Sequence, residues 1–258
     1  MDTSLRSYGL TDTGLRRADN EDSFCLHDDI GLYVVADGVG GAQAGEEASF
    51  LAVDVIATMV RGMLNGDQPV FGRFPGDITD AERLLGTAVM AANTAIYTAG
   101  LKNRALSGMC TTVVAVLIMG GAVATAHVGD SRIYRLRNGM LQQLTTDHSV
   151  VQEQYQKGLI TREEMETSDM RHIITRVLGG NPDVDIALSS QDIEDGDRIL
   201  LCSDGLNTML PDAGIRQILN SASSPREACE QLVGAANAAG GMDNITVVTV
   251  WRDPAGTK

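Results

Sequence analysis

The sequence predicts an α+β fold: a four-layer sandwich of two antiparallel β-sheets flanked by pairs of helices. Strand-like runs outnumber helical ones, and the helices come in pairs between segments that resemble antiparallel hairpins. The chain has 258 residues, of which 43% are hydrophobic and 21% charged, so it can bury a core of its own. Since no repeat of fixed period and no linker interrupts it, we expect one domain over residues 1–258.

The first half of the chain supplies three strands and two long helices. The strands are SYGLTD, DSFCLHD and LYVVAD. Apolar residues at helical spacing then predict a helix over about 46–63 and a second over about 80–102. Prolines and glycines in residues 65–79 predict a loop between the two helices.

A hairpin follows the second helix. Residues 105–126 carry no charge and are long enough to cross a bilayer, but two β-branched runs around Gly120-Gly121 favour two strands and a tight turn. The strand DSRIYRLRN, a turn at Asn138-Gly139 and a polar segment with two short helical stretches come next. The strands VDIALSS and DRILLCSD, helices over 212–220 and 225–239 and the strand NITVVTVW complete the chain.

The net charge, the N-terminal residues and the cysteines indicate which partners and which cellular compartment to expect. With 20 basic and 34 acidic residues the net charge is −14, which argues against binding to a nucleic-acid backbone. The N-terminal residues lack the basic and apolar regions of a secretory signal, so we expect a cytoplasmic protein that does not enter a membrane and is monomeric. The cysteines form no CxxC pair and are expected to be core thiols: Cys25, Cys110, Cys202 and Cys229.

Four aspartates follow or precede apolar strands. Asp37-Gly38 ends LYVVADG, Asp204 ends RILLCSD, Asp130 follows ATAHVG, and Asp243 stands in GGMDN before the last strand. Each alone is ordinary turn chemistry. Four carboxylates at strand ends would repel one another unless a cation lay among them, and oxygen ligands select Mg²⁺ or Mn²⁺. We therefore predict a site for hard divalent ions, provided that the strand ends converge.

The N-terminal run GLRRADNEDS adds cationic side chains near further acids. Arg16 and Arg17 precede Asp19, Glu21 and Asp22. A guanidinium beside a carboxylate-bound metal site suits a phosphoryl substrate, since it binds phosphate oxygens in bidentate fashion. The alternative is a solvated cluster of surface charges.

The ordered set of motifs resembles a known family. GLRRADNED, ADGVGG, HVGDSRIY, TxDHS, CSDGL and GxxDNIT occur in this order between Gly14 and Thr246, over nearly the whole chain. This set closely resembles the metal-dependent protein phosphatases, the type 2C serine/threonine phosphatases, and in particular their bacterial branch. The resemblance implies the same sandwich of two antiparallel sheets, with a binuclear Mn²⁺ or Mg²⁺ site at one rim.

The resemblance also assigns the core of that site. Asp37 would bridge both ions, and the carbonyl of Gly38 would bind one of them. Asp204 and Asp243 would hold the other ion, so the three aspartates are the expected catalytic carboxylates.

Further residues are assigned around this core. Glu21, or Asp22, would act through bound water, and Arg17 matches the phosphate-binding arginine of the family. Asp130 matches an acid that helps to bind a third ion. Residues 147–180 match the flap that bacterial members place beside the active site.

The implied reaction is hydrolysis of phosphothreonine or phosphoserine by direct attack of a metal-bridging hydroxide. Val39 stands where some members carry a histidine that protonates the leaving alcohol, so water on a third ion is the expected donor. His127, on a strand, is expected to be a core residue. We expect phosphorylated proteins in signalling, those of a serine/threonine kinase, as substrates; a non-catalytic phospho-binding module and a phosphatase for small phosphate esters are the alternatives.

Overall fold

The computed structural model describes residues 5–40 and 42–254, so the ends of the predicted domain and Gly41 lie outside it. Its strands are β1 (Leu5–Asp12), β2 (Asp22–His27), β3 (Leu32–Val39), β4 (Cys110–Thr111), β5 (Val113–Met119), β6 (Ala122–Val128), β7 (Arg132–Arg137), β8 (Met140–Gln143), β9 (Ala187–Asp192), β10 (Arg198–Cys202) and β11 (Ile245–Arg252). Its helices are α1 (Ala42–Asn65), α2 (Asp80–Lys102), α3 (Val150–Gln156), α4 (Arg162–Thr167), α5 (Asp204–Asn207), α6 (Asp212–Ser221) and α7 (Pro225–Ala238), with a 3₁₀ turn at Arg104–Leu106.

The strands form two antiparallel sheets. The first sheet has the order β1-β11-β10-β7-β8, and the second has the order β2-β3-β5-β6-β9, with β4 paired to the end of β3. Short turns join the neighbouring strands β2–β3, β5–β6 and β7–β8, whereas helices lie between β10 and β11 along the chain.

Strand β3 shows how the second sheet is buried on both faces. Leu32, Val34 and Ala36 pack in one core with α1 and α2, whereas Tyr33 and Val35 pack in another core between the two sheets. Successive side chains of a strand point to opposite faces, so a continuous apolar run such as this one fills two cores at once.

The first sheet repeats this arrangement on the other side of the molecule. Leu200 of β10 packs with Ile215 of α6 and Leu232 of α7, while Leu201 packs in the core between the sheets. The layers are therefore helix pair, sheet, sheet and helix pair. The predicted α+β four-layer sandwich is confirmed.

Helix α2 begins with a capping box and packs against α1 and the second sheet. Thr79 and Glu82 form a capping box, in which Thr79 Oγ1 accepts from the Glu82 amide and the Glu82 carboxylate accepts from the Thr79 amide. Among the described helices α2 is long and apolar enough to cross a membrane, and half of that apolar stretch is buried in the fold. This burial against α1 and the second sheet accounts for its composition.

The sequence-based elements were largely confirmed. The hairpin β5–β6 turns at Gly120 and Gly121, whose φ angles of 62° and 83° are accessible mainly to glycine. The strand predicted at VDIALSS begins later, at Ala187, and β8 and α5 were missed. Both missed elements have four residues, too few for a periodicity to be recognised.

Candidate active site

The strand ends converge on one cavity at the rim of the sandwich. It has a volume of about 570 Å³ and lies where the ends of β3, β6 and β10 meet the start of β11. Seven of the eight predicted site residues line it: Arg17, Glu21, Asp37, Gly38, Asp130, Asp204 and Asp243. The inference that the carboxylates come together, which chain order alone could not establish, is supported by this placement.

Glycine at position 38 allows three segments of backbone to meet beside Asp37. The Gly38 amide donates to the Glu21 carbonyl at 3.1 Å. A Cβ at Gly38 would collide with the Gly45 carbonyl on α1 and would lie 2.6 Å from the Glu21 carbonyl oxygen. The start of α1 can therefore approach the cavity only because residue 38 has no side chain.

The backbone of Asp37 is fixed by the strand-like segment that follows Cys110. Its carbonyl accepts from the Thr112 amide and from the Thr111 hydroxyl, both at 2.8 Å. Thr112 Oγ1 in turn lies 2.7 Å from the hydroxyl of Ser131, next to Asp130. These bonds hold the backbone of Asp37 in place before any ligand binds, which limits the positions that its carboxyl can take.

Burial and mutual repulsion raise the pKa of Asp37, Asp130 and Asp204 in the cavity. Burial raises the pKa of Asp37 well above its usual range, and the nearby charges of Asp22, Asp204, Asp130 and Asp243 raise it further. Burial, followed by the charge of Asp204, raises the pKa of Asp130 to about 7. Burial, followed by the charge of Asp243, also raises the pKa of Asp204.

This chemistry fits a hard divalent cation. The donors are carboxylate and carbonyl oxygens, and a cation among them would balance the charges that the carboxylates carry. Yet no three His, Cys, Asp or Glu side chains within residues 5–40 and 42–254 are gathered tightly enough to hold one ion as they stand. The Asp243 carboxylate is engaged elsewhere, accepting from Arg17 Nη2 at 2.7 Å and from the Asn244 amide at 2.8 Å. Asp243 would therefore have to exchange its present partners to bind an ion.

Asp22 is the one predicted site residue that does not line the cavity. It faces Asp37 across the β2–β3 register, but it is buried beneath the cavity and accepts from the Ser203 hydroxyl at 2.8 Å. Its Oδ1 has no hydrogen-bond partner in the described part of the chain, and burial raises its pKa to about 7. Glu21, by contrast, lines the cavity, and its amide donates to Asn244 Oδ1 at 2.9 Å. Of the two candidates for contact through water, the structure favours Glu21.

The predicted flap, residues 147–180, contains α3 and α4 and borders the cavity. It contributes Arg171, His172 and Ile174 to the lining. Burial and the charge of Asp243 raise the pKa of Asp204, and the charge of His172 opposes that rise. Sequence reasoning assigned no role to Arg171 or His172, because they belong to no strand end and to no motif. The resemblance to a flap-bearing family was the signal that could have pointed to them.

Two residues set aside by the sequence analysis are placed as expected. His127 is buried, with Nε2 2.9 Å from the Thr146 carbonyl, and its ring stacks on that of His148 with centroids 4.6 Å apart. It is a satisfied core histidine, as predicted. Val39, at the position where some family members carry a histidine, is part of the cavity wall and is 40% exposed.

Comparison with known proteins agrees with this architecture. The sequence model of the protein phosphatase 2C family matches residues 11–236. The crystal structure of the Mycobacterium tuberculosis serine/threonine phosphatase PstP is similar with a TM-score of 0.85 and 37% identity, covering 97% of this chain and 99% of that one. The catalytic domain of PstP in complex with two manganese ions gives a TM-score of 0.82 and 36% identity, with the same coverage.

Curated relatives differ in how much of their length is matched. The chain is 38% identical to PstP of Mycobacterium tuberculosis over 95% of its residues, but spans only 44% of that protein. It is 34% identical to the serine/threonine phosphatase stp of Listeria monocytogenes, over 94% of both chains. The fold and the acid-lined rim define a metal-dependent phosphatase. More specifically, the chain belongs to the protein phosphatase 2C family of serine/threonine phosphatases.

Proposed function

We propose that this chain hydrolyses phosphothreonine and phosphoserine in proteins, using Mn²⁺ or Mg²⁺. The observation that carries this proposal is the convergence of Arg17 and the strand-end aspartates on one cavity. A family relative binds two manganese ions in a domain of the same fold, which supports the choice of metal.

The aspartates have separate tasks in this proposal. Asp37, the Gly38 carbonyl, Asp204 and Asp243 would hold the ion pair, and Asp130 would share a third ion with Asp204. Bound divalent ions would supply Lewis acidity and lower the pKa of water to generate the nucleophile near neutral pH. Glu21 would orient solvent at the edge of the cavity. The chain's own contribution is to keep these oxygens fixed and partly shielded from bulk water.

Arg17 would bind the phosphoryl group by exchanging partners. Its guanidinium now donates to Asp243, with both side chains partly exposed. If Asp243 held an ion, Arg17, which lines the same cavity, would be free to bind the phosphoryl group. Its planar guanidinium would balance the charge on the oxygens of that group.

The substrate class is tested by turnover. The purified chain with Mn²⁺ is assayed on a phosphothreonine peptide and on a panel of small phosphate metabolites, with Asp37→Asn as the control for contaminating activity. We expect kcat/KM on the peptide to exceed that on every small ester. The reverse order would identify a small-ester phosphatase. Tight binding of the peptide without turnover would identify a phospho-binding module.

We further propose that the protein acts in signalling as a cytoplasmic monomer that reverses a serine/threonine kinase. Four free thiols, two of them buried, support a reducing compartment. The charge of −14 argues against nucleic acid and anionic membranes as partners. Light scattering of the purified protein, with a mass of one chain expected, tests the oligomeric state.

A further inference from the structure

A second groove opens from the active-site cavity. It has a volume of about 1040 Å³ and runs between the flap and the segment of α5 and α6. The two spaces share five lining residues: Asp130, Arg171, His172, Asp204 and Thr208. They are therefore continuous, and a phosphorylated side chain seated in the cavity would place the neighbouring residues of its own chain in the groove.

Most charges along this groove are already balanced. Arg132 pairs with Asp147 at 2.6 Å, and Arg162 pairs with Glu166 at 3.3 Å. Asp130 and Asp204, which line both the groove and the cavity, are metal ligands in the function proposed above. Asp212, at the α6 end, accepts from the Tyr134 hydroxyl at 3.1 Å and has no cationic partner among the described residues. An acidic ligand would thus be repelled at that end of the groove.

Arg171 is the exception at the end next to the cavity. It is exposed and forms no ion pair with any side chain in residues 5–40 and 42–254; its Nη1 has a marginal contact of 3.5 Å with the Ser168 carbonyl. The turn that carries it is closed by the Arg171 amide, which donates to the same carbonyl at 3.3 Å, and by the Met170 amide, which donates to Ser168 Oγ at 3.2 Å. Its guanidinium is thus available to a ligand, whereas that of Arg17 is paired with Asp243.

We propose that Arg171 determines substrate specificity by binding an acidic side chain adjacent to the phosphoresidue. A guanidinium forms a bidentate, charge-assisted pair with a carboxylate, and Arg171 lies at the junction where residues flanking the phosphoresidue must pass. The preferred substrates are then phosphoproteins with Asp or Glu next to the phosphorylated residue. This inference rests on the proposed protein phosphatase activity and specifies its substrate class.

The test uses phosphothreonine peptides that differ only in the residues flanking the phosphothreonine, which are Glu, Ala or Lys. With Mn²⁺-loaded protein we expect kcat/KM for the Glu peptide to exceed that for the Ala peptide by about fivefold, the size of an exposed ion pair, mainly through KM. Arg171→Gln removes the preference, and Arg171→Glu shifts it to the Lys peptide. Both substitutions are at an exposed position, and unchanged melting temperatures would confirm that the variants fold.

Lys157→Gln is the matched control. Lys157 is a flap cation outside the groove and pairs with Glu153 at 3.5 Å, so this variant changes the flap charge equally and should keep the preference for Glu. A wild type indifferent to the flanking residue, or an Arg171→Gln variant that keeps the preference, would overturn the inference. The inference would also be overturned if Arg171→Gln lowered kcat/KM equally on all peptides and on an aryl phosphate, because Arg171 would then bind the phosphoryl group itself. Wild-type failure on every phosphopeptide would instead overturn the proposed function itself.

Discussion

The strand-end rim and the flap border the same cavity but are built in opposite ways. At the rim, Asp37 and Asp204 continue strands whose side chains are buried on both faces. In the flap, residues 152–177 contain no buried residue, and its buried positions lie near its ends, at His148, Ser149, Val151 and Leu178.

This contrast separates two tasks. Metal ligation tolerates errors of only a few tenths of an ångström, and the proposed ligands Asp37 and Asp204 lie at the ends of buried strands, where packing restrains the backbone. Recognition of a substrate residue next to the phosphoresidue needs less precise positioning. An exposed segment such as the flap can therefore carry it, because substitutions there leave the core intact. On this account, substitutions at the rim affect chemistry, and substitutions in the flap affect selectivity.

The largest effect is expected at Asp37. Asp37→Asn keeps the size of the side chain but removes the charge proposed to bridge two ions, so turnover should fall by about 10³-fold or more. Calorimetric titration with Mn²⁺ should show that both ions bind more weakly together. Loss of only one ion, with the other unaffected, would show that Asp37 does not bridge.

A pair of stability variants compares the core behind the rim with the flap. Leu200→Ala empties a fully buried position between the first sheet and its helices and should cost about 2–5 kcal/mol. Met165→Ala, on α4 of the flap, should cost about 0.5 kcal/mol. Urea unfolding followed by the fluorescence of Trp251, the single tryptophan and a buried one, measures both. If the two variants lost similar amounts of unfolding free energy, the proposed difference in rigidity between the rim and the flap would be wrong.

A smaller effect is expected at Asp130. Asp130→Ala should leave two bound ions per chain but lower turnover of a phosphothreonine peptide by about tenfold. An activated aryl phosphate should be less affected, because its leaving group scarcely needs a proton and Val39 can supply none. If Asp130 serves only the turn between β6 and β7, both substrates will lose activity alike and the melting temperature will fall.

The sequence was sufficient to predict the parts governed by local rules. The continuous apolar run in LYVVAD predicts a strand, the Gly120-Gly121 pair predicts a hairpin turn, and an aspartate before glycine marks the rim of the sheet. The separation of Asp22 from the cavity could not be predicted, because it depends on the β2–β3 register and on Ser203 from β10's end. Arg171 was missed for the same reason: the placement of an exposed flap depends on tertiary contacts that no periodicity records.

The central claim is that the carboxylates of the rim hold the ions on which hydrolysis depends. The most direct measurement treats the protein with excess chelator, removes the chelate by dialysis, and follows phosphothreonine-peptide turnover while Mn²⁺ is returned. We expect activity to vanish and then to recover as two ions bind per chain, with a rise in melting temperature as the carboxylate charges are balanced. Full activity in the presence of excess chelator, after dialysis, would contradict the account.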